Sequence, residues 1–239
     1  MLKKISQIIV LNEHIFKLKI NQDSTIHATL KEWKISKKHI NTLCQGLPIK
    51  VTKGQILSFP LKSEPTMMSQ SQESVDILYE DSLCLIAYKK PFLLVHDDGV
   101  HSDNLQDQIQ SQIQWSHPIQ CVHRIDTQTS GLVLFCKQPI FQPLLDDLMV
   151  NHKIIKEYQC VVKGRFPWKE KEVHAPIGQD RHRNAMRISP KGKMANTYLT
   201  CLKRNENYSL LKAQIDTVRK HQIRVHLSHL GYPIVNDEL

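Results

Sequence analysis

Between His123 and Leu132 the chain reads His-Arg-Ile-Asp-Thr-Gln-Thr-Ser-Gly-Leu, placing a cation, a carboxylate and several hydroxyls just before the apolar run Leu132-Val133-Leu134-Phe135. Polar groups beside a strand of this kind are costly unless each has a partner or a task. Asp126 has the chemistry of a nucleophile or a general base, and Arg124 that of a phosphate contact. The same letters also spell an ordinary turn, in which Asp, Thr and Ser bond nearby amides and Gly takes a positive φ. Taken by itself the stretch leaves both readings open.

Two later segments carry further candidates. In Lys156-Glu157-Tyr158 through Gly164, Tyr158 opens a strand beside basic residues. It could offer a flat face to a nucleobase, worth about 1–3 kcal/mol per stacked base, or serve as a β-favouring core residue. In Thr217-Val218-Arg219-Lys220-His221-Gln222-Ile223-Arg224-Val225-His226, the residues His221, Arg224 and Ser228 share one helix face. That face could bring a guanidinium to a carboxylate of another segment, or be a solvated basic surface. His226 and His229 stand at i, i+3, but His221 is five residues from His226 and no Cys or HExxH companion supports a site, so no metal is expected.

These groups need a scaffold, and the hydrophobic pattern outlines one. Ile26, Leu30 and Trp33 follow a helical period, and Ser36 caps a second short helix running to about Cys44. Pro48–Phe59 alternates like a hairpin around Lys53-Gly54. Together these make a small basic module over residues 1–62, and the polar, unpatterned stretch 63–74 reads as a linker. From Val75 the pattern predicts strands at Ile77–Asp81 and Leu83–Tyr88, and a helix capped by Ser102 and running to Trp115. Beyond it come a strand at Leu132–Lys137 and a helix over about Ile140–His152. Further strands follow at Tyr158–Lys163, Thr197–Leu202 and Leu210–Ile215, with a last helix over His221–Leu230 stopped by Gly231. Strands and helices intermix without a βαβ rhythm, which predicts an α+β class with a mixed, largely antiparallel central sheet flanked by helices.

Charge is unevenly spread along the chain. The net charge is +9; residues 1–70 hold eleven Lys, four acids and no Arg, residues 71–123 are acidic, and all eight Arg lie at or after Arg124. A basic balance of this kind favours a polyanionic partner. Lys is a mobile point charge and Arg a planar fork, so the front reads as a diffuse electrostatic surface and the rear as the place where geometry counts. The six cysteines are scattered in apolar runs with no CxxC pair, as reduced core residues of a cytoplasmic protein would be. No run is long and apolar enough to read as a membrane span, and no membrane association is expected.

In order along the chain, these segments resemble the RluA-type pseudouridine synthase family. Its signature His-Arg-Leu-Asp-x-x-Thr-Ser-Gly is similar to His123–Gly131, with Ile125 for Leu, and the initial His favours this branch over the small-subunit type. Ile77-Leu78-Tyr79-Glu80-Asp81 through Lys90-Pro91 resembles the family's opening. Lys156-Glu157-Tyr158 resembles its Tyr motif, Lys193-Met194-Ala195-Asn196-Thr197 its Lys-x-Ala-x-Thr strand, and Thr217–His226 its closing motif. The resemblance covers residues 75–239. Residues 1–62 are similar to a shortened alpha-L RNA-binding module, with Lys37 or Lys38 where that module has Arg.

The resemblance implies an RNA pseudouridine synthase that isomerises uridines in structured RNA, ribosomal RNA above all and tRNA as the other choice. It implies that Asp126 is the catalytic aspartate, Arg224 its partner, Tyr158 the residue that stacks on the target uracil, and Arg124 the side chain that fills the space of the flipped uridine. His123, Lys37, Lys38, Arg219 and His221 complete the expected RNA contacts. The reaction exchanges a carbon–nitrogen for a carbon–carbon bond within one nucleotide, so no cofactor is implied; whether Asp126 acts as nucleophile or base stays open. The expected particle is a cytoplasmic monomer. The alternative is a catalytically impaired RNA-binding or RNA-chaperone protein, whose RNA binding would survive loss of Asp126. Where the family has Gly-Asp followed by Tyr-Gly and further strands, this sequence has Asn236-Asp237 and stops at Leu239, which implies a fragment or a truncated form.

Overall fold

A hairpin of β1 (Ser6–Leu11) and β2 (Ile15–Ile20) opens the computed structural model, and its second arm shows what drives it: Phe16, Leu18 and Ile20 are buried while Lys17 and Lys19 point toward solvent. That period-2 alternation is what a half-buried strand requires. The structure describes residues 6–61, 73–99, 103–113, 115–180 and 185–237. They belong to two compact units, Met1–Asn151 and His152–Leu239.

In the first unit β3 (Ser24–Thr25) leads into α1 (Ile26–Glu32), whose first turn is capped by Thr25 Oγ1 accepting from the Ala28 amide at 3.2 Å. The second helix, α2 (Lys37–Leu43), is capped in the same way by Ser36. Then come β4 (Lys50–Val51) and β5 (Ile56–Pro60). The hairpin expected around Lys53-Gly54 is not formed. The chain does turn there, but β4 pairs with β3 and β5 with β2, closing a β1-β2-β5 sheet. Alternation reports which face is buried and says nothing about which strand lies alongside.

A four-stranded antiparallel sheet follows, ordered β6 (Ile77–Glu80), β7 (Cys84–Lys89), β9 (Gly131–Cys136), β8 (Gln120–Cys121). Between β7 and β8 lies α3 (Leu105–Ile113). Ser102, the expected cap of α3, lies outside the described residues, as does most of the expected linker. Asn104 caps the helix: its Oδ1 accepts from the Asp107 amide at 3.0 Å while its Nδ2 donates to the Asp107 carboxylate at 2.8 Å. The helix expected over Ile140–His152 starts as a 3-10 turn, Pro139–Phe141, and continues as α4 (Gln142–Val150). Phe141 and Leu145 of this stretch share a core with Phe16, Leu30 and Phe59, and the Phe16 ring stacks on Phe59 with centroids 4.6 Å apart. A second core, built on Leu85, Ile109, Val133 and Phe135, lies between the four-stranded sheet and α3.

The second unit holds β10 (Glu157–Lys163), β11 (Glu170–Asp180), β12 (Ala185–Ile188), β13 (Lys193–Arg204) and β14 (Tyr208–Ile215), then α5 (Gln222–His229). Its antiparallel sheet runs β10-β14-β13-β11-β12. Val162, Leu199, Leu211 and Ala213 of the sheet bury against Phe166 and Leu227 of α5. Strands β11 and β12 were not expected from the sequence. His221, expected as the first helical residue, has φ +57° and stands before the helix.

Candidate active site

The loop from Val122 to Ser130 joins β8 to β9, and its side chains divide by direction. Ile125 packs against the second core, whereas Arg124 on one side of it is exposed and Asp126 on the other is half-buried. The backbone turns at Asp126, whose carbonyl accepts from the Thr129 amide at 2.9 Å. The Thr127 carbonyl accepts from the Phe92 amide at 2.7 Å, tying the loop to the segment that follows β7. Gly131 re-enters the sheet at φ +140°, a conformation that side-chain-bearing residues avoid.

Behind this loop sits a residue that the motif reading passed over. Lys89, the last residue of β7, is fully buried, continuing the inward alternation of Leu85 and Ala87. Its ammonium donates to the carbonyls of Leu93 at 2.7 Å, Thr127 at 2.9 Å and Lys90 at 3.0 Å. It thereby fastens the loop one residue beyond Asp126. Burial pushes the Lys89 pKa down to about 8, and the Asp126 charge acts against that. Lys90, the next residue, is on the surface, 3.8 Å from Glu73. The signal that could have singled out Lys89 was the strand's own inward phase.

The neighbours of Asp126 have distinct partners. His123 Nε2 accepts from the Leu134 amide at 3.2 Å, so its ring braces the middle of β9. Arg124 Nη1 lies 3.0 Å from His96 Nε2, and His96 Nδ1 lies 2.6 Å from the Asp97 carbonyl. A carbonyl can only accept, so Nδ1 carries the proton and Nε2 accepts from Arg124. Lys37 and Lys38 are exposed in the first turn of α2, where the helix dipole disfavours cations.

In the second unit Tyr158 stands on β10 opposite Ala213, half-buried and packed on the core of that unit. Part of its side chain is therefore in the core and part is exposed. Arg219 donates from Nε to the Met194 carbonyl at 3.1 Å and from Nη1 to the Val218 carbonyl at 2.8 Å. The loop carrying it is clamped by Gln222, which is 3% exposed. Gln222 Oε1 accepts from the Arg219 amide and the Thr217 hydroxyl, both at 3.1 Å, while its Nε2 donates to the Asn196 carbonyl at 2.8 Å and to Thr197 Oγ1 at 3.1 Å. His226, read as one of three scattered histidines, is fully buried. It donates from Nε2 to the Ala175 carbonyl at 3.2 Å and accepts at Nδ1 from Thr197 Oγ1 at 2.9 Å, and burial lowers its pKa. These bonds seat α5 on the sheet.

Arg224, in the first turn of α5, has a carboxylate partner that the sequence did not suggest. Its Nε donates to Asp237 Oδ2 at 2.7 Å and its Nη2 to Asp237 Oδ1 at 2.5 Å. The structure thus gathers His123, Arg124 and Asp126 on one loop of the first unit, and Arg219, His221 and Arg224 around the start of α5 in the second.

Comparison with known proteins shows the family to which the chain is similar. Residues 84–229 match the model of the RNA pseudouridylate synthase family. The uncharacterized RNA pseudouridine synthase YhcT of Bacillus subtilis is 32% identical over 198 residues, covering 79% of this chain and 65% of that protein. A second Bacillus subtilis relative, YlyB, is also 32% identical, over 56% of its own length, so the chain spans about half to two thirds of these curated relatives. Ribosomal large subunit pseudouridine synthase D of Salmonella typhimurium is 28% identical over 88% of this chain and 67% of that protein. Among solved structures, human RNA Pseudouridylate Synthase Domain Containing 1 superposes with a TM-score of 0.62 at 22% identity, covering 72% of this chain and 71% of that one.

Proposed function

The chain belongs to the RNA pseudouridylate synthase family, and from that premise we propose that it isomerises uridine to pseudouridine in structured RNA, with Asp126 as the reacting carboxylate. The observation that carries the proposal is the anchoring of the Asp126 loop. A half-buried carboxylate sits on a turn pinned by Lys89 and Phe92, beside an exposed arginine. An ordinary turn has no need of a buried ammonium beneath it, because placing one there carries a large desolvation cost.

The reaction moves a glycosidic bond from a ring nitrogen to a ring carbon within one nucleotide. Nothing is gained or lost apart from a proton shifted from the carbon to the nitrogen, so side chains suffice. Asp126 attacks or takes the proton in its ionised form, and Arg224 supplies the positive charge against which it works. The target base has to leave its stack, which costs a few kcal/mol. Tyr158 returns part of that by offering its ring to the uracil, and Arg124 by filling the vacated space. His123, Lys37, Lys38, Arg219 and His221 are assigned to contacts with the RNA backbone, with residues 1–62 acting as an RNA-binding module ahead of the catalytic region. We take large-subunit ribosomal RNA as the substrate, since the named relatives include large-subunit enzymes, and the cytoplasm as the place of action of a monomer.

The test is incubation of the full chain with large-subunit ribosomal RNA and, separately, with bulk tRNA, followed by mapping of pseudouridine at nucleotide resolution. Defined sites should appear with the wild type and vanish with Asp126→Ala while RNA binding persists. Identical maps for the two proteins would remove the catalytic assignment and leave an RNA-binding protein. Sites in tRNA alone would overturn the choice of substrate.

A further inference from the structure

We infer that Asp237 is a positioning residue: it holds the guanidinium of Arg224 in the orientation the reaction uses, and residues 232–237 form the strap that delivers it. The inference rests on the proposed role of Arg224 and adds to it a second carboxylate, outside the motif that contains Arg224.

The strap is built in three steps. Helix α5 ends in a Schellman turn, in which the Tyr232 amide donates to the Leu227 carbonyl at 3.0 Å and the Gly231 amide to the Ser228 carbonyl at 3.0 Å, with Gly231 at φ +83°. The chain then runs beside β10, meeting it at one isolated antiparallel bridge. Ile234 bridges Val162, the Lys163 amide donates to the Pro233 carbonyl at 2.9 Å, and the Val235 amide to the Val161 carbonyl at 2.9 Å. Tyr232 anchors it by meeting Phe166 edge-on at 5.2 Å. Finally Asn236, at φ +61°, turns the chain so that the Asp237 amide donates to the Ile234 carbonyl at 3.2 Å and its side chain faces α5. A left-handed residue there is natural for Gly and next best for Asn. The replacement of the family's Gly by Asn236 therefore keeps the turn.

At the end of the strap the pair is bidentate and sheltered, with the side chains of Arg224 and Asp237 only 18% and 8% exposed. A bidentate pair fixes the plane of the guanidinium as well as its position. A planar fork has two edges, and Asp237 engages the one formed by Nε and Nη2, so the orientation of the other edge is set by the same contact. Without this brace the plane of the guanidinium would lose the constraint that Asp237 places on it, and misplacement by about 1 Å is enough to cost on the order of a hundredfold in rate.

The experiment uses the full chain and a uridine-tritiated ribosomal RNA transcript, measuring tritium release, RNA affinity and melting temperature for Asp237→Asn, Asp237→Glu, Arg224→Gln and the double variant. Asp237→Asn should lower kcat about ten- to a hundredfold with KM for RNA little changed, and Asp237→Glu should recover part of it. In the Arg224→Gln background Asp237→Asn should have no further effect, a coupling that a purely structural role would not produce. Wild-type kcat in Asp237→Asn with an inactive Arg224→Gln overturns the positioning role and leaves Arg224 in place. Wild-type kcat in Arg224→Gln overturns the reading of Arg224 itself. Should Asp237→Asn fail to fold, Asn236→Val keeps the carboxylate but disfavours the turn, while Asn236→Gly keeps both. A folded Asn236→Val with the kcat of Asn236→Gly also overturns the inference.

Discussion

Replacing Lys89 by Met tests the idea that a buried ammonium holds the Asp126 loop. The substitution keeps the length of the side chain and removes its charge and its donors. Two effects oppose one another. Burial brings the Lys89 pKa from 10.5 to about 8, so removing the charge relieves a cost of roughly 3 kcal/mol. Against this, three carbonyls lose a charged donor, those of Lys90, Leu93 and Thr127. At about 1.5–3 kcal/mol for each such bond, the loss wins, and Lys89→Met should be less stable by about 2–5 kcal/mol near pH 7. The pH dependence follows from the direction of the displacement. The folded pKa lies below the unfolded one, so between about pH 8 and 10.5 the unfolded chain binds the extra proton, and raising the pH favours the folded state. The wild type should therefore gain up to about 3 kcal/mol on the variant across that window. Urea unfolding of both proteins at several pH values from 7 to 10.5 measures the gap, and tritium release measures the accompanying loss of kcat. A variant as stable as the wild type at pH 7, with a gap that stays flat to pH 10.5, would refute the reasoning.

Three further outcomes follow from the second unit and from the cysteines. Gln222→Met removes all four bonds of a buried amide and should cost about 3 kcal/mol or more, read as a lowered urea midpoint. His226 is buried with a lowered pKa, so below its usual titration range the unfolded chain binds the proton more readily and stability falls as pH drops from about 7 to 5. His226→Gln should show a shallower acid decline in urea titrations; an identical slope counts against the assignment. Burial pushes Cys84 and Cys160 to about 11 and Cys136 to about 12. Iodoacetamide at pH 8 should therefore label these three in the folded protein about a hundredfold more slowly than in urea, as followed by mass spectrometry.

The parts of the fold that were legible in the sequence are those decided locally. Thr25 and Ser36 cap α1 and α2, Ile26 and Leu30 mark a helix face, and Leu83–Tyr88 carries the alternation of its strand. What escaped is decided by distant partners. Strand β11 contains Glu170, Lys171, Glu172, Pro176 and Gly178, a composition that argues for a loop, yet it pairs with β13 over Glu170–Ile177 and with β12 over Ile177–Asp180. The hairpin of β1 and β2 turns through Asn12-Glu13-His14 without Gly or Pro, the punctuation that usually marks such a turn. Here the Asn12 side chain does that work, its Oδ1 accepting from the amides of His14 and Ile15.

At the candidate site the same division separates residues that bear chemistry from residues that hold them. Asp126, Arg124 and Tyr158 were visible because their types and spacing stand out against a background of turns and strands. Lys89, Gln222 and Asp237 were not, because each works from behind and its role is defined by what it bonds. Lys89 holds the carbonyl next to Asp126, Gln222 the loop before α5, and Asp237 the head group of Arg224. All three spend a buried polar group on a contact that a simple scaffold would make with apolar side chains at lower cost. The fold tolerates that cost at three places that each adjoin a residue proposed for catalysis or RNA contact, which is where rigid placement is worth more than stability. Substitutions confined to the exposed motif residues would locate the reacting groups, whereas the accuracy of their placement would be lost first at these three supports.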